Sequence, residues 1–282
     1  MATGERMAFF FPIGRASRSG AFRADLFLLR RLVLGLLLWS LTSSLAFSQR
    51  WPHERTVGPF RFHADFALDG AMDTLRETAR LSDAIPDLLK LPRGQETIEV
   101  YLFHDQTTYR RYLEQYFPEL PLRRALYIKP RGPGMVFAQA GDGFEVDLRH
   151  ESTHAILHTL LPEVPLWLDE GLAEYFEPTA SARPVDERTL ESVLRDLRAA
   201  RAPRLEELEQ KTDMRQMQAA DYRHAWAWAH FLIHGPAPVR QVFREYLREL
   251  PGQGAMPSLA QRLAREYPDY EYALATHLQT LR

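Results

Sequence analysis

The chain has 282 residues, of which 45% are hydrophobic and 26% are charged, and none is cysteine. With 35 basic and 37 acidic residues its formal net charge is −2, which excludes the strongly basic composition typical of nucleic-acid-binding proteins. The lack of cysteine excludes disulfides, a lipoprotein anchor and thiolate ligands. Any metal must therefore be bound by His, Asp or Glu.

Residues 1–48 have the pattern of a secretory signal peptide. Six arginines and only two acidic residues accompany a short apolar run, and the small residues Ala46 and Ser48 follow it. This order predicts cleavage before Gln49 and export to the periplasm or the outside of the cell. The alternative is an uncleaved membrane anchor over residues 26–47. A bilayer span needs about 20 apolar residues, and this run is shorter, which favours cleavage.

Cleavage would leave 29 basic and 35 acidic residues, because the leader contains six and two. Residues 49–282 are long enough for one well-packed domain or for two closely joined lobes. We expect an α+β fold with a mixed sheet. Residues 49–147 would form an α/β lobe, and residues 148–282 would form a pair of metal-binding helices and a helical lobe. Membrane contact is expected only through an uncleaved leader, and the sequence gives no indication of oligomeric state.

The N-terminal lobe alternates between strand and helix patterns. A helix over residues 106–117 is expected to begin at a capping residue, Asp105, and to end before Pro118. Period-two and helical spacing of apolar residues predict the other elements. These are strands over residues 60–66, 97–103, 125–128 and 135–140, and a helix over residues 71–89.

Gly141-Asp142-Gly143 has the composition of a hairpin turn. It predicts a further short strand over Phe144–Asp147 that leads directly into the next helix. One of these strands is expected to provide a sheet edge on which a peptide can be held as an added strand. From residue 149 onward the pattern is mainly helical, with predicted helices over residues 149–161, 166–176, 186–201, 219–234, 239–250 and 259–277, the last broken near Pro268.

The most informative motif is His150-Glu151-Ser152-Thr153-His154. Histidines at positions i and i+4 of a helix lie on one face, where two neutral imidazoles can reach the same Zn²⁺. Glu151 would lie beside that metal, where a general base must be to activate water. The motif alone is also consistent with a solvated helix face, so its support comes from the following helix.

Catalytic zinc needs three protein ligands and an open position. Glu170, on the helix predicted for residues 166–176, is the expected third ligand. Gly171 and Ala173 beside it are small enough to let the two helices approach closely. Glu174 follows one helical turn later and is expected to accept a hydrogen bond from the other ring nitrogen of a ligand histidine, His150, with Asp169 as the alternative for this role. Glu174 is also consistent with a surface acid.

Together, His150-Glu151-x-x-His154 and Trp167-Leu168-x-Glu170-Gly171-x-Ala173-Glu174 resemble the gluzincin group of zinc metallopeptidases. The resemblance is closest to small bacterial peptidase-MA-like proteins. It extends mainly over residues 147–177, with a weaker likeness at residues 222–232. It implies a gluzincin architecture in which His150, His154 and Glu170 bind Zn²⁺ and Glu151 is the base.

The sequence departs from two related patterns. Residues 132–136 lack the Glu and Asn with which aminopeptidases capture a substrate amino terminus, so aminopeptidase activity is not supported. Metzincins place a glycine and a third histidine after the second ligand, where this chain has Leu157 and Leu160. His158 is therefore expected to be a helix-surface histidine.

An oxyanion that develops during peptide hydrolysis needs a hydrogen-bond donor besides the metal. Tyr222 is the candidate because a phenol can donate and because the weaker likeness includes it. His224 is the second candidate. The alternative is that Tyr222, Trp226 and Trp228 are core aromatics of one helix.

Two functions remain open from the sequence. The first is an exported zinc metallopeptidase that acts on a peptide or protein substrate. The second is a catalytically silent protein of the same fold that binds a partner or a component of the cell envelope in its cleft. Glu151 favours the enzyme, because a binding protein has no need of a base.

Overall fold

A computed structural model of the chain describes residues 51–129, 132–179, 185–250 and 258–281. The predicted leader and its cleavage position lie outside these residues and stay predictions. Within the described ranges, no helix combines the length and apolar character needed to cross a bilayer. Residues 51–282 form a single compact unit.

The structure has an α+β fold built on a five-stranded mixed sheet, as predicted. The strand order is β1-β2-β3-β5-β4, so β1 and β4 are the edge strands. The three central strands run parallel, and each edge strand is antiparallel to its neighbour. The strands are β1 (His53–Val57), β2 (Phe60–Ala64), β3 (Ile98–Phe103), β4 (Ala125–Ile128) and β5 (Met135–Gln139).

Eleven α-helices are present in the described residues. They are α1 (Met72–Ala79), α2 (Leu81–Leu89), α3 (Gln106–Tyr116), α4 (Phe144–Leu160), α5 (Leu166–Phe176), α6 (Glu187–Arg198), α7 (Leu205–Glu209), α8 (Ala219–His234), α9 (Ala237–Glu249), α10 (Leu259–Glu266) and α11 (Tyr270–Thr280).

Alternation along the strands divides the core between the two faces of the sheet. In β3, Val100 and Leu102 belong to the large core that includes residues of α2 and α4. Phe103 belongs to a smaller aromatic cluster with α3 on the other face. The helix that carries the histidine pair is therefore supported by the sheet, which holds α4 in place.

Two features of the N-terminal part were not predicted. Strand β1 pairs with β2 over its whole length, although its sequence is mostly exposed and lacks a clear apolar alternation. The single helix expected over residues 71–89 is two helices, α1 and α2, that meet at Arg80. The cap of α3 by Asp105 is confirmed, because its side chain accepts a hydrogen bond from the backbone N–H of Thr108 at 2.8 Å.

The predicted strand over Phe144–Asp147 is wrong, because these residues form the first turn of α4. Gly141 and Gly143 adopt φ angles of 143° and 83°, so the chain turns there into a helix instead of a hairpin. Glu145 and Asp147 lie in this first turn, where negative charge interacts favourably with the helix dipole. An alternation of four residues is too short to outweigh these helix-start signals.

Helix α5 has the predicted bounds and packs against both α4 and α8. Gly171 permits the contact with α8, because a Cβ at this position would lie 2.5 Å from the carbonyl oxygen of Ala225 and 2.7 Å from its carbon. The sequence had related this small residue to the approach of α4. The structure shows that its hydrogen faces the backbone of α8 instead.

We expect Gly171→Ala to destabilise the fold by about 3 kcal/mol. The new methyl group would meet the backbone of α8, which cannot move aside as the end of a flexible side chain can. Gly70→Ala is the matched control, since a Cβ at Gly70 meets nothing within 4 Å. Urea denaturation of both variants measures the effect. Equal midpoints for Gly171→Ala and wild type would contradict the assigned close approach.

Candidate metal centre

His150 and His154 lie on the face of α4 that is directed toward α5. Their ring centroids are 4.8 Å apart, and the two Nε2 atoms are separated by 3.1 Å. His154 is buried, and the side chain of His150 is 16% exposed. The helical spacing predicted from the sequence therefore does bring both imidazoles to one point.

Glu170 on α5 completes a group of three. Its side chain is only 4% exposed, and its Oε2 lies 3.7 Å from Nε2 of His150 and 4.0 Å from Nε2 of His154. One ligand atom from each of the three residues lies within 4.8 Å of the others. A buried carboxylate beside two imidazoles needs a positive charge to offset its desolvation.

The other ring nitrogens of both histidines are held by carboxylates. Nδ1 of His150 is 2.7 Å from Oε1 of Glu177, and Nδ1 of His154 is 2.8 Å from Oδ1 of Asp169. A carboxylate accepts a proton at Nδ1 and so fixes the tautomer in which Nε2 carries a lone pair. Two such lone pairs then face each other at 3.1 Å, which is unfavourable unless a cation or a proton lies between them.

These residues fit Zn²⁺. Two ligands about 2.05 Å from a tetrahedral ion are separated by roughly 3.3 Å, close to the observed separation of the two Nε2 atoms. Burial by itself lowers the pKa of His150, but hydrogen bonds with Glu170 and Glu177 outweigh burial and raise the pKa well above its ordinary value.

The partner of His150 differs from the expectation. Glu177, not Glu174, holds its Nδ1, although Glu174 and Glu177 both lie close enough to His150 to form a second acidic group with it. Burial and the neighbouring charge of Glu177 raise the pKa of Glu174 to about 7. Glu177 follows the last residue of α5, three positions after Glu174 and seven after Glu170, and so continues the same helical face.

Asp169, the alternative carboxylate partner for a ligand histidine, does contact one of the two ligand histidines. Its partner is His154 instead of His150. Its second oxygen, Oδ2, lies 3.1 Å from Nε2 of His158. Burial would raise the pKa of Asp169, but His154 and His158 lower it far below its usual range. His158 is consequently a half-buried partner of Asp169 and not a free surface histidine, which corrects the expectation for this residue.

Glu151 is half-buried and lines a cavity together with His154, Asp169 and Glu170. Burial raises the pKa of its carboxyl group, and the charges of His154 and His150 oppose that increase. A carboxylate of raised pKa is a better proton acceptor than an ordinary glutamate near neutral pH. Its position beside the histidine pair is the one the motif predicts for a base.

Tyr222 is half-buried in the first turns of α8. Burial and the charge of Glu170 raise the pKa of its phenol, while the charge and hydrogen bond of Arg123 act to lower it. The phenol thus lies near the third ligand. Trp226 and Trp228, by contrast, are fully buried core residues.

His224 is directed elsewhere. Its Nε2 lies 3.1 Å from Oδ2 of Asp196, a buried carboxylate on α6 that also pairs with Arg201 and Arg223. Burial lowers the pKa of His224 despite this contact. It belongs to an ion-pair network between α6 and α8, which makes it unsuitable as an oxyanion donor.

The cavity beside the three candidate ligands has a volume of about 260 Å³. Edge strand β4 forms part of its wall through Leu126, Tyr127 and Ile128. Strand β4, an edge strand of the sheet that the described residues form, therefore lines the same cavity as Glu151 and His154. Sequence reasoning did not find Arg123, which also lines this cavity from the loop before β4; no periodicity or spacing distinguishes it in the sequence.

A comparison with protein families relates part of this chain to a known family model. A family model described as a protein of unknown function (DUF1570) matches residues 146–251. The matched segment includes the candidate ligands, Glu151 and Tyr222, and it excludes the β-sheet. A search of curated proteins finds no match.

Proposed function

We propose that this chain is a zinc-dependent metallopeptidase of the gluzincin type. The observation that carries the proposal is the convergence of His150, His154 and Glu170 within 4.8 Å, with Glu151 lining the adjacent cavity. The carboxylates on both Nδ1 atoms add support, because they orient the imidazoles for metal binding. A purely structural zinc site would have four protein ligands and no need of a cavity.

Bound zinc would polarise the scissile carbonyl and lower the pKa of water toward about 7. Side chains of the protein carry out the remaining steps. Glu151 accepts a proton from the attacking water and passes it to the leaving nitrogen, for which its raised pKa is suited. Tyr222 donates a hydrogen bond to the oxyanion that develops on the substrate.

The substrate is held, in this proposal, along β4. This strand has a neighbour, β5, on one side only among the described strands, and its residues line the cavity. An extended peptide can therefore hydrogen-bond to its free edge with the scissile bond near Glu151. An edge strand that lines the cavity, the helix with the histidine pair and the following helix with Glu170 support the gluzincin architecture that we propose.

Export is part of the proposal and rests on the sequence of residues 1–48 alone. Expression with the natural leader in a bacterial host, followed by N-terminal sequencing, tests it. We expect an envelope protein that begins near Gln49. Recovery of the intact leader in the membrane fraction would favour the anchor.

The peptidase proposal is tested with the purified residues 49–282 and a library of peptides, with products identified by mass spectrometry. We expect cleavage at defined positions that requires zinc and stops when a chelator is added. Absence of cleavage by a zinc-loaded, folded protein would contradict peptidase activity. Retention of uncleaved peptides on that protein would then favour the binding function.

Tyr222→Phe should lower kcat by more than a hundredfold, because loss of one oxyanion donor costs about 3 kcal/mol of transition-state stabilisation. Zinc content and melting temperature should stay close to wild type, since the ring and its packing are retained. Steady-state kinetics and thermal melts measure both. Normal turnover by Tyr222→Phe, with a lower melting temperature for Tyr222→Ala, would show that the residue serves packing only.

A further inference from the structure

Arg123 is a positively charged residue in the wall of the candidate site. It lies in the loop before β4 and lines the same cavity as Glu151, His154 and Glu170. Among the described residues that line this cavity, it is the only lysine or arginine. Arg123 is exposed to solvent and also lines the cavity, so its guanidinium is available to a molecule bound there.

The neighbouring Arg124, by contrast, is held by contacts within the protein. Its guanidinium donates to Oδ1 of Asp147 at 2.7 Å and to the backbone oxygen of Asp142 at 3.4 Å. Arg123 makes no comparable ion pair with any carboxylate that the structure describes. Its side chain hydrogen-bonds to Tyr222, and its charge acts on Glu151 and on Tyr222, the two residues assigned to the chemistry.

The rest of the cavity wall is largely apolar. A guanidinium and a largely apolar wall in one cavity suit a substrate that combines an apolar side chain with a carboxylate. The apolar side chains are those of Leu120, Pro121, Leu126, Ile128, Leu166 and Met214.

We propose that Arg123 binds a carboxylate of the peptide substrate close to the scissile bond, an inference that rests on the proposed peptidase function. The planar guanidinium can donate two parallel hydrogen bonds to a carboxylate, which fixes both its position and its orientation. The carboxylate belongs either to the peptide C-terminus or to an acidic side chain. Arg123 is thus a specificity-determining residue.

The test uses four fluorogenic peptides that share one cleavable apolar core, identified from the library. They carry a free or an amidated C-terminus, combined with Glu or Gln at the position after the core. We expect wild type to prefer the peptide with the recognised carboxylate by about 10- to 100-fold in kcat/KM, the range for a hydrogen bond to a charged group. The preference for acid over amide identifies the C-terminus, and the preference for Glu over Gln identifies a side chain.

In Arg123→Gln this preference should fall to less than about threefold, mainly through a higher KM, and Arg123→Lys should restore part of it. Arg111→Gln is the matched control, because Arg111 is exposed on α3 and does not line the cavity. Arg111→Gln should keep the wild-type preference. An unchanged preference in Arg123→Gln, or none in wild type, would overturn the assignment while leaving peptidase activity intact.

A binding measurement separates this inference from the peptidase proposal. The same four peptides, labelled for fluorescence anisotropy, are titrated into Glu151→Gln and into Glu151→Gln/Arg123→Gln. We expect the second protein to lose the carboxylate preference by the same factor. If wild type cleaves no library peptide, the shared core is taken from a peptide that the protein retains uncleaved; the same difference in binding would then leave the carboxylate site standing while the peptidase proposal fails. Equal binding of all four peptides by both proteins would overturn the carboxylate site.

Discussion

Glu151→Gln should lower peptide hydrolysis by at least about a thousandfold while zinc stays bound, because a carboxamide keeps the size of the side chain but cannot accept a proton. Glu151 is the half-buried carboxylate beside His154 in the cavity, and burial raises its pKa. Steady-state kinetics on the best library peptide, together with zinc analysis of the same preparation, measure the effect.

The matched control is Glu163→Gln, an exposed glutamate in the loop between α4 and α5 that does not line the cavity. It should hydrolyse the peptide at the wild-type rate. Comparable rates for Glu151→Gln and wild type would contradict the assigned base. Glu174 would then be the next candidate for the base, because its pKa of about 7 would also permit proton transfer near neutral pH.

Removal of zinc should abolish hydrolysis and lower the melting temperature by roughly 10 °C. A metal present at a thousand times its dissociation constant stabilises the native state by about 4 kcal/mol, and each kcal/mol changes the melting temperature of a protein this size by about 2–4 °C. The buried Glu170 also loses the charge that offsets its desolvation. Thermal melts before and after chelation, and after return of zinc, measure this change.

His154→Ala provides the comparison for the chelation experiment. Without this imidazole the two remaining ligands should bind zinc too weakly for the metal to raise the melting temperature. The melting temperature of the chelated wild type should recover with zinc, and that of His154→Ala should not respond. Equal zinc-dependent stabilisation of the two proteins would show that the metal binds elsewhere.

The candidate site was largely predictable because its geometry is local. A separation of four residues within one helix determines that His150 and His154 share a face, whatever the remaining chain does. Glu170 could be assigned because α5 follows after a short loop and was predicted with its observed bounds. Only two consecutive helices and the loop between them are needed to bring these three residues together.

Contacts between residues that are far apart in the sequence were harder to predict. Glu177 lies beyond the end of α5, and only its place on the face of Glu170 and Glu174 could have indicated its contact with His150. Arg123 lies in a loop, and its place beside the cavity depends on how β4 packs against α4. No local pattern encodes such long-range contacts.

Errors in the fold prediction have similar causes. The four residues from Phe144 to Asp147 alternate as a strand would, but the preceding glycines turn the chain into α4. Strand β1 is stabilised by pairing with β2, a contact that its own sequence does not reveal. A stronger local signal decides the first case, and a contact between strands decides the second.

The zinc content of the purified protein tests the central claim most directly. Elemental analysis should find about one zinc per chain in wild type and in His104→Ala, a control for loss of an exposed histidine that pairs with Asp65 and does not line the cavity. It should find almost none in His154→Ala or Glu170→Ala. Wild type without bound zinc after incubation with the metal, or full occupancy in either ligand variant, would contradict the account.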